Sequence, residues 1–254
     1  FSISFEYNMQ NNTENDILQL PEKIAIEKGI QIVICIDEFQ QISDFEDSKT
    51  FQKKLRSVWQ LQQHVSYCLF GSKKHLMNEL FEKKNLPFYK FGDAIYLAKI
   101  ETKYWIEYIC KRFENTGKHI SPELAEEICR LVDNHSSYVQ QLSWLLWIRT
   151  INTATTEQLS YALEDLLDQN NILFQSETEN LSAYQMNFLK AIVDGIHTKF
   201  SSKEVISKYN LGTSANIVRL KNALLQKELI ETNGKEIVLA DPVFEVWFKK
   251  EMLY

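Results

Sequence analysis

The sequence predicts an α/β layer built on a parallel sheet, followed by a mostly α-helical half that closes in a winged helix-turn-helix. Three observations predict it. The run Ile32-Val33-Ile34-Cys35-Ile36 is continuously apolar and rich in β-branched residues, and it ends in Asp37-Glu38. That is the pattern of a strand covered on both faces in a parallel sheet. A second short run, Val65-Ser66-Tyr67-Cys68-Leu69-Phe70, ends at Gly71-Ser72 with one helical stretch between the two, as a strand–helix–strand crossover requires. From Leu181 onward the order is helix, helix, helix, hairpin, helix, the outline of a winged helix-turn-helix.

Taken in order, Phe1 to Tyr7 alternates weakly and reads as extended, until Asn11-Asn12-Thr13 breaks it. A helix follows from about Asn15 to Lys28, with Pro21 as a potential kink and Gly29 in the C′ position. The first strand is Ile30 to Asp37. Ser48 to Gln63 reads as a helix with Phe51, Leu55, Val58, Trp59 and Leu61 on its apolar side. After the second strand comes a helix over Lys73 to Phe81 and a third, weaker strand over Ala94 to Ala98. The rest is helical. Thr102 to Asn115 stops at Gly117, and Ser121-Pro122 supplies an N-cap and a first-turn proline for the next helix. That helix ends near Asp133-Asn134, and Ser137 to Arg149 and Thr156 to Asp168 follow. The run Trp144-Leu145-Leu146-Trp147-Ile148 reads as helix core. The polar stretch Gln175 to Asn180 marks a boundary, giving domains over 1–98, 99–178 and 179–254. The last domain contains helices Ala183–Asp194, Ser202–Lys208, Ser214–Lys227 and Val243–Glu251. Its hairpin pairs Leu229–Thr232 with Glu236–Leu239 around Asn233-Gly234.

A chain of 254 residues with a formal net charge of −6 is not covered in nucleic-acid contacts, although one local basic face is compatible with it. The four cysteines form no CxxC pair; Cys35 and Cys68 read as buried strand residues, pointing to a reducing cytosol. None of the five histidines pairs with a cysteine or carboxylate at metal-ligand spacing. No apolar run approaches a membrane span and no signal peptide precedes Phe1, so the expectation is a cytoplasmic protein without a membrane partner. A first residue that is Phe rather than Met suggests a fragment or a processed chain.

Ligands of parallel sheets bind just beyond the carboxyl ends of the strands, where Asp37 and Glu38 lie. Ser72 lies 35 positions after Asp37, at the end of the neighbouring strand. Acidic residues after a strand also simply precede a helix, and Gly-Ser is a routine turn and N-cap. The run Ile32 to Gln40 resembles the Walker B motif of P-loop ATPases. With Tyr67-Cys68-Leu69-Phe70-Gly71-Ser72-Lys73-Lys74-His75-Leu76-Met77, Pro87-Phe88-Tyr89 and Ala240-Asp241-Pro242-Val243-Phe244-Glu245-Val246-Trp247, it is similar to the archaeal-type AAA/STAND ATPases also found in many bacteria. The resemblance runs from about Ile30 to the C-terminus. It implies a partial RecA/AAA-like three-layer parallel sheet, a helical lid and a C-terminal winged helix. It also implies Mg²⁺ and ATP as cofactors, with Asp37 coordinating the metal, Glu38 polarising the attacking water and Ser72 in the sensor position.

The family's phosphate-binding Gly-x-x-x-x-Gly-Lys-[Ser/Thr] is not in the sequence: none of the seven glycines sits in that pattern. The expectation is therefore the C-terminal portion of a longer ATPase, inactive as given. In the family's sheet the P-loop strand lies between the neighbours represented here by Val65–Phe70 and Ala94–Ala98. Its removal leaves unpaired edges that either an N-terminal piece or a second copy would complete. The lid segment Asp133-Asn134-His135-Ser136-Ser137-Tyr138 also resembles the family, with Ser136-Ser137 in place of its proline and His135 as a loop or capping residue. No residue reads as an arginine finger.

In the winged helix, Thr213, Ser214 and Asn216 open the recognition helix, with Arg219 and Lys221 following and Lys203 on the helix before. Small polar residues flanked by cations suit a major groove, but such cations are also ordinary surface. Residues 182–254 carry 10 Lys/Arg against 8 Asp/Glu, only a mild excess. The resulting reading is an ATP-dependent switch represented by its C-terminal portion, with DNA, a protein partner or self-association as partners. The alternative is a non-catalytic winged-helix module that binds DNA or protein.

Overall fold

The computed structural model describes residues 14–252; the extended piece expected over Phe1–Tyr7 and its break lie outside them. Two compact units divide between Tyr96 and Leu97.

In the first unit, helix α1 (Glu14–Lys28) carries Pro21 without interruption and ends at Gly29, whose φ of +63° suits a residue without Cβ. Strand β1 (Ile32–Ile36) pairs in parallel with β2 (Val65–Leu69), Ile32 opposite Val65 and Cys35 opposite Cys68. A 3₁₀ turn (Phe39–Asp44) and helix α2 (Ser48–Trp59) form the crossover, and α3 (Lys74–Glu82) follows. Alternate residues of the strands point inward: Ile36, Tyr67 and Leu69 pack on a core of Phe39, Ile42, Leu55, Val58, Trp59, Leu80 and Phe88. Aromatic contacts dominate it, Trp59 stacking on Tyr67 with ring centres 4.0 Å apart. Arg56 braces the segment after α3, donating to the carbonyls of Pro87 and Tyr89 and lying 5.4 Å over the Phe91 ring.

Two expectations are corrected here. Among the described residues the sheet is covered on one face only: Val33 is 64% exposed, and Cys35, Ser66 and Cys68 are exposed with it. A run of β-branched residues shows that a strand can be buried on both sides, not that the second layer is at hand. The strand expected over Ala94–Ala98 is irregular, with Ile95 and Leu97 exposed. A strand exists through its ladder partner, and among the described residues none pairs there; the sheet holds only β1 and β2.

The second unit is helical: α4 (Thr102–Glu114), α5 (Pro122–Leu131), α6 (Ser136–Arg149) and α7 (Thr156–Glu179). The Ser121 hydroxyl accepts from the Leu124 N–H, as the Ser-Pro start signal implies. Thr155 and Gln158 make a capping box for α7. This helix runs eleven residues beyond Asp168, through Gln175–Glu179, because Phe174 and Thr178 continue its buried stripe. In α6, Leu145 and Leu146 are core whereas Trp144 and Ile148 are exposed. His135 occupies the N-cap position with its ring 4.7 Å from Tyr138.

Helices α8 (Ala183–Val193), α9 (Lys203–Lys208) and α10 (Ser214–Gln226) lead to the antiparallel wing of β3 (Ile230–Asn233) and β4 (Glu236–Leu239), then α11 (Pro242–Met252). Asn233 pairs with Glu236, so the turn residues are Gly234 and Lys235, one position later than expected. One continuous apolar core joins α4–α7 to the winged helix. Phe174 meets Phe244 edge-on at 5.3 Å, and the Trp247 indole donates to Asn171 at 2.8 Å. Among the described residues, no helix is long and apolar enough to cross a membrane.

Candidate functional site

The parallel ladder brings the carboxyl ends of β1 and β2 side by side, and the backbone locks them there. The Phe70 N–H donates to the Ile36 carbonyl and the Phe39 N–H to the Phe70 carbonyl, each at 2.8 Å. Between these bonds the chain bends at Asp37 and turns at Glu38, whose φ of 48° and ψ of 41° are left-handed. A non-glycine residue seldom adopts that conformation, and such strain concentrates at functional sites. The Glu38 N–H donates to Asp37 Oδ1 at 2.8 Å, which fixes one oxygen of an exposed carboxylate. Ser72 Oγ donates to Glu38 Oε2 at 3.1 Å across the strand ends. Thus Ser72, 34 positions after Glu38, meets the adjacent Asp37-Glu38 pair.

Gln40 is a participant that the sequence did not single out. Its side chain, 2% exposed, donates through Nε2 to the same Glu38 oxygen that Ser72 holds. Its Oε1 is buried without a hydrogen-bond partner among the described residues and rests against Gly71, where an added Cβ would lie 2.4 Å from it. Gly71 is therefore needed for close approach, not for an unusual φ. The only trace of this in the sequence is Gln two positions after Glu38 and Gly immediately before Ser72.

Hard oxygen donors suit Mg²⁺, and Asp37 presents an exposed carboxylate, so the carboxylate side of a magnesium–nucleotide site fits these residues. The phosphate side does not come from them. No Gly-rich loop with its lysine is in the sequence. Among the described residues, no group of three or more His, Cys, Asp or Glu is placed to hold a metal by protein ligands alone.

With this geometry, comparison with solved structures is decisive for the fold. The chain matches a Walker-type ATPase of Pyrococcus abyssi with a TM-score of 0.73 at 16% identity, over 96% of this chain and 72% of that one. The two share a fold. Lower scores relate the chain to the ORC2 protein of Aeropyrum pernix (TM-score 0.48, 13% identity, 98% of this chain and 73% of that one). The RuvB Holliday junction branch migration motor of Thermotoga maritima scores 0.44 at 13% identity, over 96% of this chain and 76% of that one. A family model described as "Probable winged helix domain" matches residues 172–250. None of the curated proteins matches the chain.

The residues expected at a nucleic-acid interface lie in that winged helix. Thr213 caps α10, its hydroxyl accepting from the Asn216 N–H, and Asn216 donates to the Leu211 carbonyl at 2.9 Å. Both spend polar groups on the helix's own start. Lys203, Ser214 and Arg219 are exposed, and Lys221 is half-buried. The exposed Val218 lies between Ile217 and Arg219 on the same helix.

Proposed function

We propose that the chain is the carboxylate-bearing, C-terminal portion of an ATP-binding AAA/STAND-type ATPase that acts as a nucleotide-dependent switch. The observation that carries this reading is the Ser72–Glu38 hydrogen bond between the carboxyl ends of adjacent parallel strands, with Asp37 beside it. Mg-ATP would supply the transferable phosphoryl group and the metal's charge, while the phosphate-binding loop would come from polypeptide outside these 254 residues. Asp37 would hold the metal through water. Glu38, with Oε2 fixed by Ser72 and Gln40, keeps its other oxygen to accept a proton from an attacking water. Ser72 and Gln40 orient that carboxylate. The shared core of lid and winged helix supports their responding as one body to the nucleotide state.

Incubation of the 254-residue chain with Mg-ATP tests the half-site. No turnover is expected; turnover at a rate typical of P-loop ATPases, absent from an Asp37→Ala control, would overturn it.

The exposed Arg219 beside Val218 on the recognition helix favours a second reading, a winged-helix module that binds DNA or protein. For DNA, duplex affinity should fall with salt and fall further in Arg219→Ala. No measurable affinity at low salt removes DNA as the partner.

A further inference from the structure

We infer that Cys35 and Cys68 form a thiol–disulfide exchange site that a low-molecular-weight disulfide closes into a bridge between β1 and β2. The two residues are direct partners in the parallel register, and both are free and exposed. Paired residues of neighbouring strands point to the same face, here the uncovered one that also exposes Val33 and Ser66. Neighbouring strands lie about 4.8 Å apart, within the separation of about 4.4–6.8 Å that a disulfide spans between Cα atoms.

The other two cysteines are internal controls. Cys110 is half-buried and Cys129 fully buried, and burial raises both thiols, that of Cys129 to about 11. Since the thiolate is the attacking species, these two exchange slowly in the folded chain.

The chemistry needs only a disulfide such as oxidised glutathione. One cysteine thiolate attacks a glutathione sulfur, forming a protein–glutathione mixed disulfide and releasing one reduced glutathione. The partner thiolate then attacks the protein sulfur of that mixed disulfide, and a second reduced glutathione leaves. The chain loses two hydrogens, and the glutathione disulfide is reduced to two thiols. The bridge ties together the two strands whose ends carry Glu38 and Ser72, although this inference does not depend on the ATPase reading.

The test is to treat the folded chain with oxidised glutathione, quench by alkylation and map the peptides by mass spectrometry without reduction. The expected product is a Cys35–Cys68 cross-linked peptide, with Cys110 and Cys129 alkylated only after unfolding. Cys35→Ser and Cys68→Ser, on an exposed face, should each retain glutathione on the remaining thiol. Double glutathionylation of Cys35 and Cys68 without a bridge would overturn the inference. So would disulfide-linked dimers, or a pair that reacts only after the chain is unfolded. The wild-type map decides even if a serine variant fails to fold.

Discussion

At Gly71 the backbone passes so close to its neighbours that an alanine Cβ would lie 2.4 Å from Gln40 Oε1 and 2.5 Å from Met77 Cγ. Met77 can turn aside; Gln40 is buried and tied to Glu38. Gly71→Ala is therefore expected to lower stability by about 1–3 kcal/mol, the usual cost of overpacking, read as a fall in the urea midpoint. A midpoint unchanged from wild type would mean that the amide moves freely. Asp241 holds a comparable position in the second unit. Its Oδ1 accepts from the N–H groups of Val243 and Phe244 at 2.7 and 3.0 Å, and its Oδ2 accepts from the Tyr138 hydroxyl. Asp241→Ala strips the cap from α11 and leaves the tyrosine unpaired, an expected loss of about 1–3 kcal/mol. Tyr138→Phe removes only the latter contact and should cost less in the same denaturation assay.

At the scale of elements, two glutamates give opposite pH dependences. Glu22 of α1 receives the Gln63 and His64 N–H groups at 3.1 Å and lies 2.9 Å from His64 Nδ1; the bond to His64 is the main cause of its lowered pKa. The stability it contributes is present above the ordinary glutamate value of about 4.3 and is lost as pH falls through the lowered one. Glu177 of α7 is shifted upward, first by burial and then by repulsion from Asp241. Its contribution is full below about pH 4.3 and disappears as pH rises through the raised value. Glu177→Gln should raise the thermal midpoint at pH 7 and leave it nearly unchanged at pH 4. A variant less stable at pH 7 would show that the carboxylate is needed as an ion.

Much of this element structure is written in the sequence. Ser121-Pro122 starts α5, Gly29 ends α1, and the run to Asp37 fixes a strand whose parallel partner is the next apolar run. What is not legible depends on partners. Val33 and Cys35 look the same whether a covering layer is present or not, and Ala94–Ala98 has β-type residues without a ladder to join. The full length of α7 follows from Phe174 and Thr178 facing a core that includes Phe244 and Trp247, residues about seventy positions later. The proximity of Asp37, Glu38 and Ser72 was legible because they follow the carboxyl ends of two paired strands. Gln40 was not, since its role arises only when the turn folds it back onto Glu38.

Across the whole molecule, the lid helices and the winged helix share one core, so they should unfold together. Trp247 is fully buried between Phe174 and Phe244. Trp247→Ala should cost about 3–5 kcal/mol and speed amide hydrogen exchange in α5 and α6 as well as in α8 and α10. Faster exchange confined to the winged helix would show two independent folding units. The central claim concerns the other unit, where Ser72 and Gln40 hold the Glu38 carboxylate that we propose as the group polarising water. It is tested most directly by Glu38→Gln in a chain that also carries the proposed phosphate-binding loop. ATP binding should be retained while turnover falls by about 10²–10⁴-fold, the usual loss on removing a general base. Turnover equal to wild type would contradict the assignment of Glu38.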